Sequence, residues 1–232
     1  MGVPRKCEVV LDSLSRGKPW TLKAHPIHRN IMMNTYRNRR ALSIHSRLMG
    51  LIDISVGGFA ATGEDIRIFE LTRITSPERI SLGSHVVVDD FVFLQGGEGL
   101  EIGDYVHIAS FASISGGGRG LIGAFTGIAA GARVFTGTDL ADGSGLIGPG
   151  VPPELRAIKR TRTELGQHVF IGANAVVLAG VTIGTGAVVG AGGVVTEDLE
   201  PWTINVGCPA RPVKSRPSTT ILEHARSLGF ED

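Results

Sequence analysis

Aliphatic residues recur at every sixth position through the segment IGANAVVLAGVTIGTGAVVGAGGVV. They stand at Ile171, Val177, Ile183, Val189 and Val195. A period of six is neither the 3.6 of an amphipathic helix nor the two-residue alternation of a half-buried strand. The pattern therefore predicts short straight segments joined by sharp bends, with one large aliphatic side chain pointing inward from each segment.

Glycines and small residues complete this repeat. Glycine follows the aliphatic residue at Gly172, Gly184 and Gly190, where a bend needs relaxed backbone sterics. Small or β-branched residues stand four positions after the aliphatic ones, at Ala175, Val181, Ala187 and Gly193. Large and small inward positions alternate, so three straight segments can close a narrow triangle. Hexapeptide repeats of this kind are a signature of the parallel β-helix.

The same rhythm extends toward the amino terminus. Coils begin at aliphatic residues followed by glycine, at Leu82, Ile102, Ile122, Leu165 and Ile183. Their spacings are 20, 20, 43 and 18 residues. Three sides of six account for the last spacing, so the first two coils carry two-residue corner insertions and the third carries a long excursion. We expect about five full coils, with a weaker one before them around Ile68 and Ile74.

Three regions follow from this pattern. Residues 1–66 form an N-terminal extension, partly helical over 31–49, residues 67–200 form the β-helix, and residues 201–232 form a tail with a short helix over 219–228. That last helix is expected to cover the open end of the stack. The excursion, residues 140–164, has three prolines and no periodicity, and loops of this length are usually functional or disordered.

Composition narrows the class of protein. With 33 glycines and 6% aromatic residues, the chain suits stacked coils better than a core of large side chains. The formal net charge of +1 gives no support for nucleic-acid binding. Cys7 and Cys208 provide no disulfide framework, which indicates a reducing compartment. The amino terminus lacks an apolar signal region and no stretch is long enough to span a membrane, so we expect a soluble cytoplasmic protein.

The coils, the excursion after VFTGTD and the ending VVTEDLEPWTINVGCPARPVK together resemble the hexapeptide-repeat acyltransferases with a left-handed parallel β-helix. The resemblance covers residues 80–214 and is to the branch of sugar O- and N-acetyltransferases. It implies acetyl-CoA as donor substrate, a sugar or nucleotide-sugar acceptor, and no metal. It also implies a homotrimer in which the donor lies between adjacent coil stacks.

The donor site implied by the resemblance falls on five residues. Backbone groups at Ala173 and Ala191 match those that contact the pantetheine arm, and Thr196 follows them in VVTED. Arg211 and Lys214 match cations near the adenosine and its phosphate. An extended pantetheine needs a wall of small residues with exposed amides, and a phosphate needs cations at one end. The alternative is that the alanines are corner packing and the cations make the tail soluble.

The catalytic position departs from the family pattern. The family's histidine in a T-x-x-H turn matches Asp139, and the acceptor contacts of the galactoside branch match Ala109 and Gly117. Aspartate is a weak base unless burial raises its pKa, although it could also orient a sugar ammonium. His107, in IGDYVHIAS, is the second candidate base, and its alternative is a surface residue with only a structural hydrogen bond.

These departures favour acyl transfer to an amino group, because an unprotonated amine already has a free lone pair and needs no strong base. The amino group of a nucleotide-linked amino sugar used in surface-polysaccharide synthesis is the expected acceptor. O-acetylation of a saccharide hydroxyl is the alternative. The basic residues of the excursion could meet a diphosphate or the CoA of a neighbouring subunit, and they are Arg156, Lys159, Arg160 and Arg162.

Two other classes of protein share this fold. A γ-type carbonic anhydrase needs two histidines five residues apart, whereas His107 is followed five positions later by Ala112. A non-enzymatic structural β-helix would display a flat array of threonines and would need neither the long excursion nor the CPARPVK tail. Both features are present in this chain.

Overall fold

The computed structural model describes Leu51 and residues 58–230. The chain separates into a compact unit of residues 1–42 and a second of residues 43–232, and all described residues belong to the second unit. The helix expected over residues 31–49 therefore lies outside the described residues, as does most of the N-terminal extension. The first strand nevertheless lies within that extension, at Ala61–Thr62.

Three parallel sheets form the sides of a triangular prism, and each coil contributes one strand to each sheet. Sheet A contains β1 (Ala61–Thr62), β4 (Ile80–Leu82), β7 (Gly99–Ile102), β10 (Arg119–Ile122), β15 (Arg162–Leu165) and β18 (Thr182–Ile183). Sheet B contains β2 (Arg67–Ile68), β5 (Val87–Val88), β8 (His107–Ile108), β11 (Gly127–Ile128), β16 (Phe170–Ile171), β19 (Val188–Val189), β21 (Thr203–Val206) and β22 (Arg211–Ser215). Sheet C contains β3 (Arg73–Thr75), β6 (Phe93–Gln95), β9 (Ser113–Ser115), β12 (Arg133–Phe135), β17 (Val176–Val177) and β20 (Val194–Val195).

The expected all-β, left-handed parallel β-helix is confirmed. Sheets A and C each hold six strands, so there are six complete coils followed by β21, where about five had been expected. The sequence signal of the first coil is weak because Thr62 stands where later coils have an aliphatic residue before glycine. Among the described strands of the prism, β22 departs from parallel pairing, since it runs antiparallel to β21 at the carboxyl-terminal end.

The core is the stack of inward side chains that the six-residue period predicts. Ile171, Val177, Ile183 and Val189 are each 0% exposed, and the smaller Ala175 between them is also fully buried. Parallel pairing in register places equivalent residues of successive coils on top of one another. The alternation of large and small residues therefore fills the narrow interior.

The corner glycines allow successive coils to approach each other closely. A β-carbon at Gly103 would lie 2.8 Å from the backbone nitrogen of Ala124 on the next coil, which is closer than real contacts allow. The left-handed backbone conformation instead falls two residues later, where φ is 56° at Tyr105 and 59° at Phe125. The expected bend is present, but the glycine before it is needed for coil spacing.

An aromatic stack runs along the corner between sheets A and B, which we call the first corner. Neighbouring ring centroids are 4.5 to 6.1 Å apart, in the order His85, Tyr105, Phe125, His168 and Trp202. Phe230 packs edge-on against Tyr105 and Phe125. His85 and His168 pack within this stack.

The carboxyl-terminal helix, α1 (Thr219–Ser227), lies along the first corner. Together with Phe125, His168 and Arg216, it lines a cavity of about 290 Å³. Arg216 donates hydrogen bonds to the carbonyls of His168 and Gly186 and lies over Trp202. The expectation that this helix covers the open end of the stack is therefore wrong, because the aromatic column offers its apolar face a better surface along the side.

The excursion between the fourth and fifth coils begins and ends as a hairpin. Strands β13 (Gly137–Asp139) and β14 (Ile158–Arg160) pair antiparallel, with a short 3₁₀ turn at Pro153–Leu155 between them. Leu146 and Ile147 in its tip are 58% and 63% exposed. No helix within the described residues is long and apolar enough to cross a membrane.

Candidate active site and donor groove

The corner between sheets B and C, which we call the second corner, carries the alanines of the expected donor site. Ala173 and Ala191 occupy equivalent positions on successive coils, and the carbonyl of Ala173 accepts a hydrogen bond from Gly192 N at 2.8 Å. Ala130 stands at the equivalent position one coil earlier, where its carbonyl accepts from Asn174 N. The result is a wall of small side chains along the prism.

This wall also offers hydrogen-bond donors. The backbone N–H groups of Ala173 and Ala191 make no hydrogen bond to any other described residue. An extended amide-containing chain such as pantetheine can pair with N–H groups presented at this spacing. The geometry therefore fits the expected binding of a pantetheine arm, and the roles of these residues remain a prediction.

The three other expected donor residues lie at the carboxyl-terminal end of the prism. Thr196 directly follows β20, while Arg211 and Lys214 belong to β22, and all three are exposed. The Arg211 guanidinium is 3.2 Å from a carboxylate oxygen of Glu197. Glu197 therefore partly neutralises one of the two cations that could meet a phosphate.

His107 lies on the outer face of sheet B beside a carboxylate. Its Nε2 is 3.1 Å from Oδ2 of Asp89 on the preceding coil, and its side chain is 54% exposed. Its Nδ1 makes no hydrogen bond with the described residues. Gly127 is the register partner of His107 on the next coil, and a β-carbon there would lie 3.2 Å from the ring of Phe170, so that ring packs closely over this position.

A histidine held in this way is suited to proton transfer. The carboxylate orients the ring and stabilises the imidazolium that forms when the other nitrogen takes a proton. Asp89 was not singled out in the sequence. Its signal was the coil length of 20 residues, which pairs His107 with Val87 on the preceding coil and places Asp89 two positions after that partner.

Asp139 is held in a different environment at the end of β13. Arg156 NH2 donates to Oδ1 at 2.6 Å, and Gly148 N donates to Oδ2 at 2.9 Å. Both side chains of the ion pair are mostly buried, at 17% and 16% exposure. The Arg156 hydrogen bond, followed by that of Gly148, holds the pKa of Asp139 below its ordinary value of 3.8. These contacts make the carboxylate a weaker base and tie the two ends of the excursion together.

The other basic residues of the excursion remain near its base. Arg160 lies 3.9 Å from Glu98, and Arg162 lies 2.7 Å from Glu164. Lys159 is exposed on β14. Of these four residues, Arg156 alone makes a mostly buried ion pair. Its partner Asp139 balances its charge.

Within one chain the expected site residues form two groups. His107, Ala173 and Ala191 lie on sheet B or on the second corner that follows it. Asp139 follows sheet C and lies on a different side of the prism. Among the described residues there is no cluster of histidine, cysteine, aspartate and glutamate that could hold a metal ion.

The repeats, and about three quarters of the chain, match known proteins. A family model described as the hexapeptide repeat of succinyl-transferase matches residues 162–197. The chain is 36% identical over 173 residues to dTDP-4-amino-4,6-dideoxy-D-glucose acyltransferase of Escherichia coli, covering 74% of this chain and 90% of that protein.

Solved structures of AntD, an N-acyltransferase from Bacillus cereus, are also similar. Its complex with dTDP and 3-hydroxybutyryl-CoA is 32% identical, covers 78% of this chain and 97% of AntD, and has a TM-score of 0.73. An S84C variant in complex with dTDP-4-amino-4,6-dideoxyglucose and Coenzyme A is 34% identical, covers 76% and 94%, and has a TM-score of 0.70. The fold and the similarity along at least 90% of the length of these relatives show that the chain belongs to the hexapeptide-repeat acyltransferases, a family of acyl-CoA-dependent enzymes.

Proposed function

We propose that the protein transfers the acyl group of an acyl-CoA, acetyl-CoA in the simplest case, to the amino group of a dTDP-linked amino sugar. The observation that carries this proposal is the 36% identity to an enzyme named for that acceptor, over 90% of its length. The similarity to AntD, whose complexes hold dTDP or the amino sugar together with a CoA species, supports the same acceptor class.

The proposed reaction needs one proton acceptor near the amine. The amine nitrogen bonds to the thioester carbonyl carbon, the carbon–sulfur bond then breaks, and CoA leaves as the thiol after taking up the proton that the amine loses. Of the two candidate bases, His107 is the better placed, because Asp89 orients its ring and Nδ1 remains open. The lowered pKa of Asp139 favours an anchoring role for that residue.

Three further features belong to this proposal. Ala173, Ala191, Thr196, Arg211 and Lys214 hold the CoA along the second corner. The protein is a homotrimer, so a neighbouring coil stack closes the donor groove and its excursion reaches the acceptor. The enzyme acts in the cytoplasm, and its product is a precursor for surface polysaccharide.

A turnover assay tests the proposal. Release of free thiol from acetyl-CoA and from 3-hydroxybutyryl-CoA is measured with dTDP-linked amino sugars, free amino sugars and plain glycosides. We expect turnover with the dTDP-linked amino sugars, and a loss of about 10² in kcat/KM for His107→Ala.

The control variant is Gln167→Ala, which changes an exposed residue at the first corner. Turnover confined to glycosides without an amino group would instead identify the enzyme as an O-acyltransferase and would contradict the proposal. Unchanged turnover in His107→Ala would remove His107 as the base.

A further inference from the structure

Two phenylalanine rings stand on the outside of the second corner. Phe91 and Phe111 occupy equivalent positions on successive coils, with ring centroids 5.0 Å apart and planes inclined by 6°. They are 53% and 62% exposed. Each ring is thus stacked on the other while most of its surface remains open to solvent.

The local backbone makes this choice of residue costly. Phe91 and Phe111 have φ of 64° and 65°, a left-handed conformation that bulky side chains rarely adopt. The next coils place Gly131, Asn174 and Gly192 in the same column, which are residue types that adopt this conformation readily. Backbone stability therefore does not explain two phenylalanines here.

The aromatic stack of the first corner shows what such a column looks like when it serves packing. There, Phe125 is stacked on both sides, and Phe230 from beyond α1 covers it edge-on. No described residue makes a ring contact with Phe91 or Phe111 from outside the pair. The two columns have the same backbone geometry, but among the described residues only the first has further rings packed over it.

One ring face of the exposed pair is open. Phe91 covers the lower face of Phe111, whereas Gly131 on the next coil offers no side chain to cover the upper face. The Asn174 side chain points from the following coil toward Gly131. A β-carbon at Gly131 would collide with Oδ1 of Asn174. The Asn174 amide makes no hydrogen bond with the described residues, so its donors and acceptor are available at the edge of the open level.

This open level adjoins the proposed active site. Ala109 and Ser110 link β8, which carries His107, to Phe111. Ala130 directly precedes Gly131 and belongs to the small-residue wall of the donor groove. A planar group above Phe111 would therefore lie close to both the proposed position of the amine and the donor groove.

We propose that the planar base of a bound nucleotide stacks on the open face of Phe111 and is recognised at its edge by the amide of Asn174. The spacing of one coil suits a stacked ring, as the Phe91–Phe111 pair demonstrates. Stacking on an aromatic side chain accepts any base, whereas the amide adds hydrogen bonds that depend on the base. This inference rests on the proposed function, because that function supplies two nucleotides, dTDP in the acceptor and adenosine in CoA.

Calorimetric titration of dTDP and of CoA into matched variants distinguishes these sources. Phe111→Leu removes the ring with the open face, and Phe91→Leu removes the ring whose upper face is already occupied. We expect about a tenfold weaker affinity for one nucleotide in Phe111→Leu and less than a twofold change in Phe91→Leu. A loss for dTDP assigns the base to the acceptor, and a loss for CoA assigns it to the donor.

Two controls make the assignment specific. Inorganic pyrophosphate and phosphopantetheine lack a base, so their affinities should be equal in wild type and both variants. Phe111→Trp should retain nucleotide affinity, and its additional emission should be quenched by the nucleotide that stacks on it. Quenching by that nucleotide, without quenching by pyrophosphate or phosphopantetheine, would distinguish stacking from a change in folding.

Several results would overturn the inference. Equal losses in Phe91→Leu and Phe111→Leu, or no loss in either, would show that the open face is not used. A change in subunit number for Phe111→Leu in sedimentation would identify the pair as a contact between copies of the chain. Wild type that binds dTDP through Phe111 but does not acylate its amino sugar would refute the proposed function alone. Normal turnover by Phe111→Leu would refute this inference alone.

Discussion

At the residue scale, the charge of the proposed donor site depends on one exposed pair. Arg211 and Lys214 supply the positive charge on β22, and Glu197 lies 3.2 Å from Arg211. Arg211 and Glu197 are 55% and 70% exposed, so their attraction is screened by solvent and contributes little to folding stability. A phosphate at this position would compete with Glu197 for the Arg211 guanidinium.

Substitutions on the two sides of this pair should change CoA affinity in opposite directions. Arg211→Ala should weaken CoA binding by about 1 to 3 kcal/mol, because it removes a charge-assisted hydrogen bond to phosphate. Glu197→Gln should strengthen it by up to about 1 kcal/mol, because the guanidinium is released. Titration of CoA and dephospho-CoA measures both effects, and equal changes for the two ligands would show that these residues do not contact the 3′-phosphate.

At the scale of the element, the periodic coils were predictable and the excursion was not. Ile171, Val177 and Ile183 lie in the core where the six-residue period predicts them, because each coil repeats the same inward geometry. The stacking of successive coils also brings Asp89 next to His107, but this contact is predicted only when the coil repeat is applied to polar positions as well. The excursion has no repeat, so the pairing of Asp139 with Arg156 depends on a tertiary fold of the loop that no local pattern encodes.

The excursion should be held in place by this ion pair at neutral pH. Because the pKa of Asp139 is lowered in the folded protein, its stabilising effect is complete above the ordinary value of 3.8 and is lost as the pH falls below it. Asp139→Asn and Arg156→Met should each loosen the loop and lower kcat/KM by similar factors. Limited trypsin digestion should show faster cleavage after Lys159 in both variants.

The two substitutions also separate anchoring from proton transfer. If Asp139 were the base, Asp139→Asn would be far more damaging than Arg156→Met, since loss of the arginine would raise the pKa of the carboxyl group and strengthen the base. A double-mutant cycle measured by kcat/KM compares the two roles. Nearly additive losses with a dominant Asp139 effect would contradict the anchoring role.

At the scale of the whole molecule, the three sides of the prism differ in their outward residues. Sheet A carries exposed ion pairs, such as Arg119 with Glu101 at 2.6 Å and Arg162 with Glu164. Sheet B has Val87, Phe170 and Val188 at equivalent outward positions, and Phe170 is 44% exposed. Charged groups are costly to desolvate, whereas apolar outward groups favour burial against another surface. This difference indicates that sheet A faces solvent in the proposed trimer and that sheet B contributes to the contacts between subunits.

The last prediction concerns this assembly. Light scattering should give about three times the chain mass of 24.4 kDa at micromolar concentration. Phe170→Glu should shift the protein toward the monomer, because it places a carboxylate in an apolar contact that cannot neutralise it. The matched variant Leu121→Glu makes the same change on the outer face of sheet A and should remain a trimer. A monomer in wild type, or equal dissociation in the two variants, would contradict the assembly and would leave the donor groove open along the second corner.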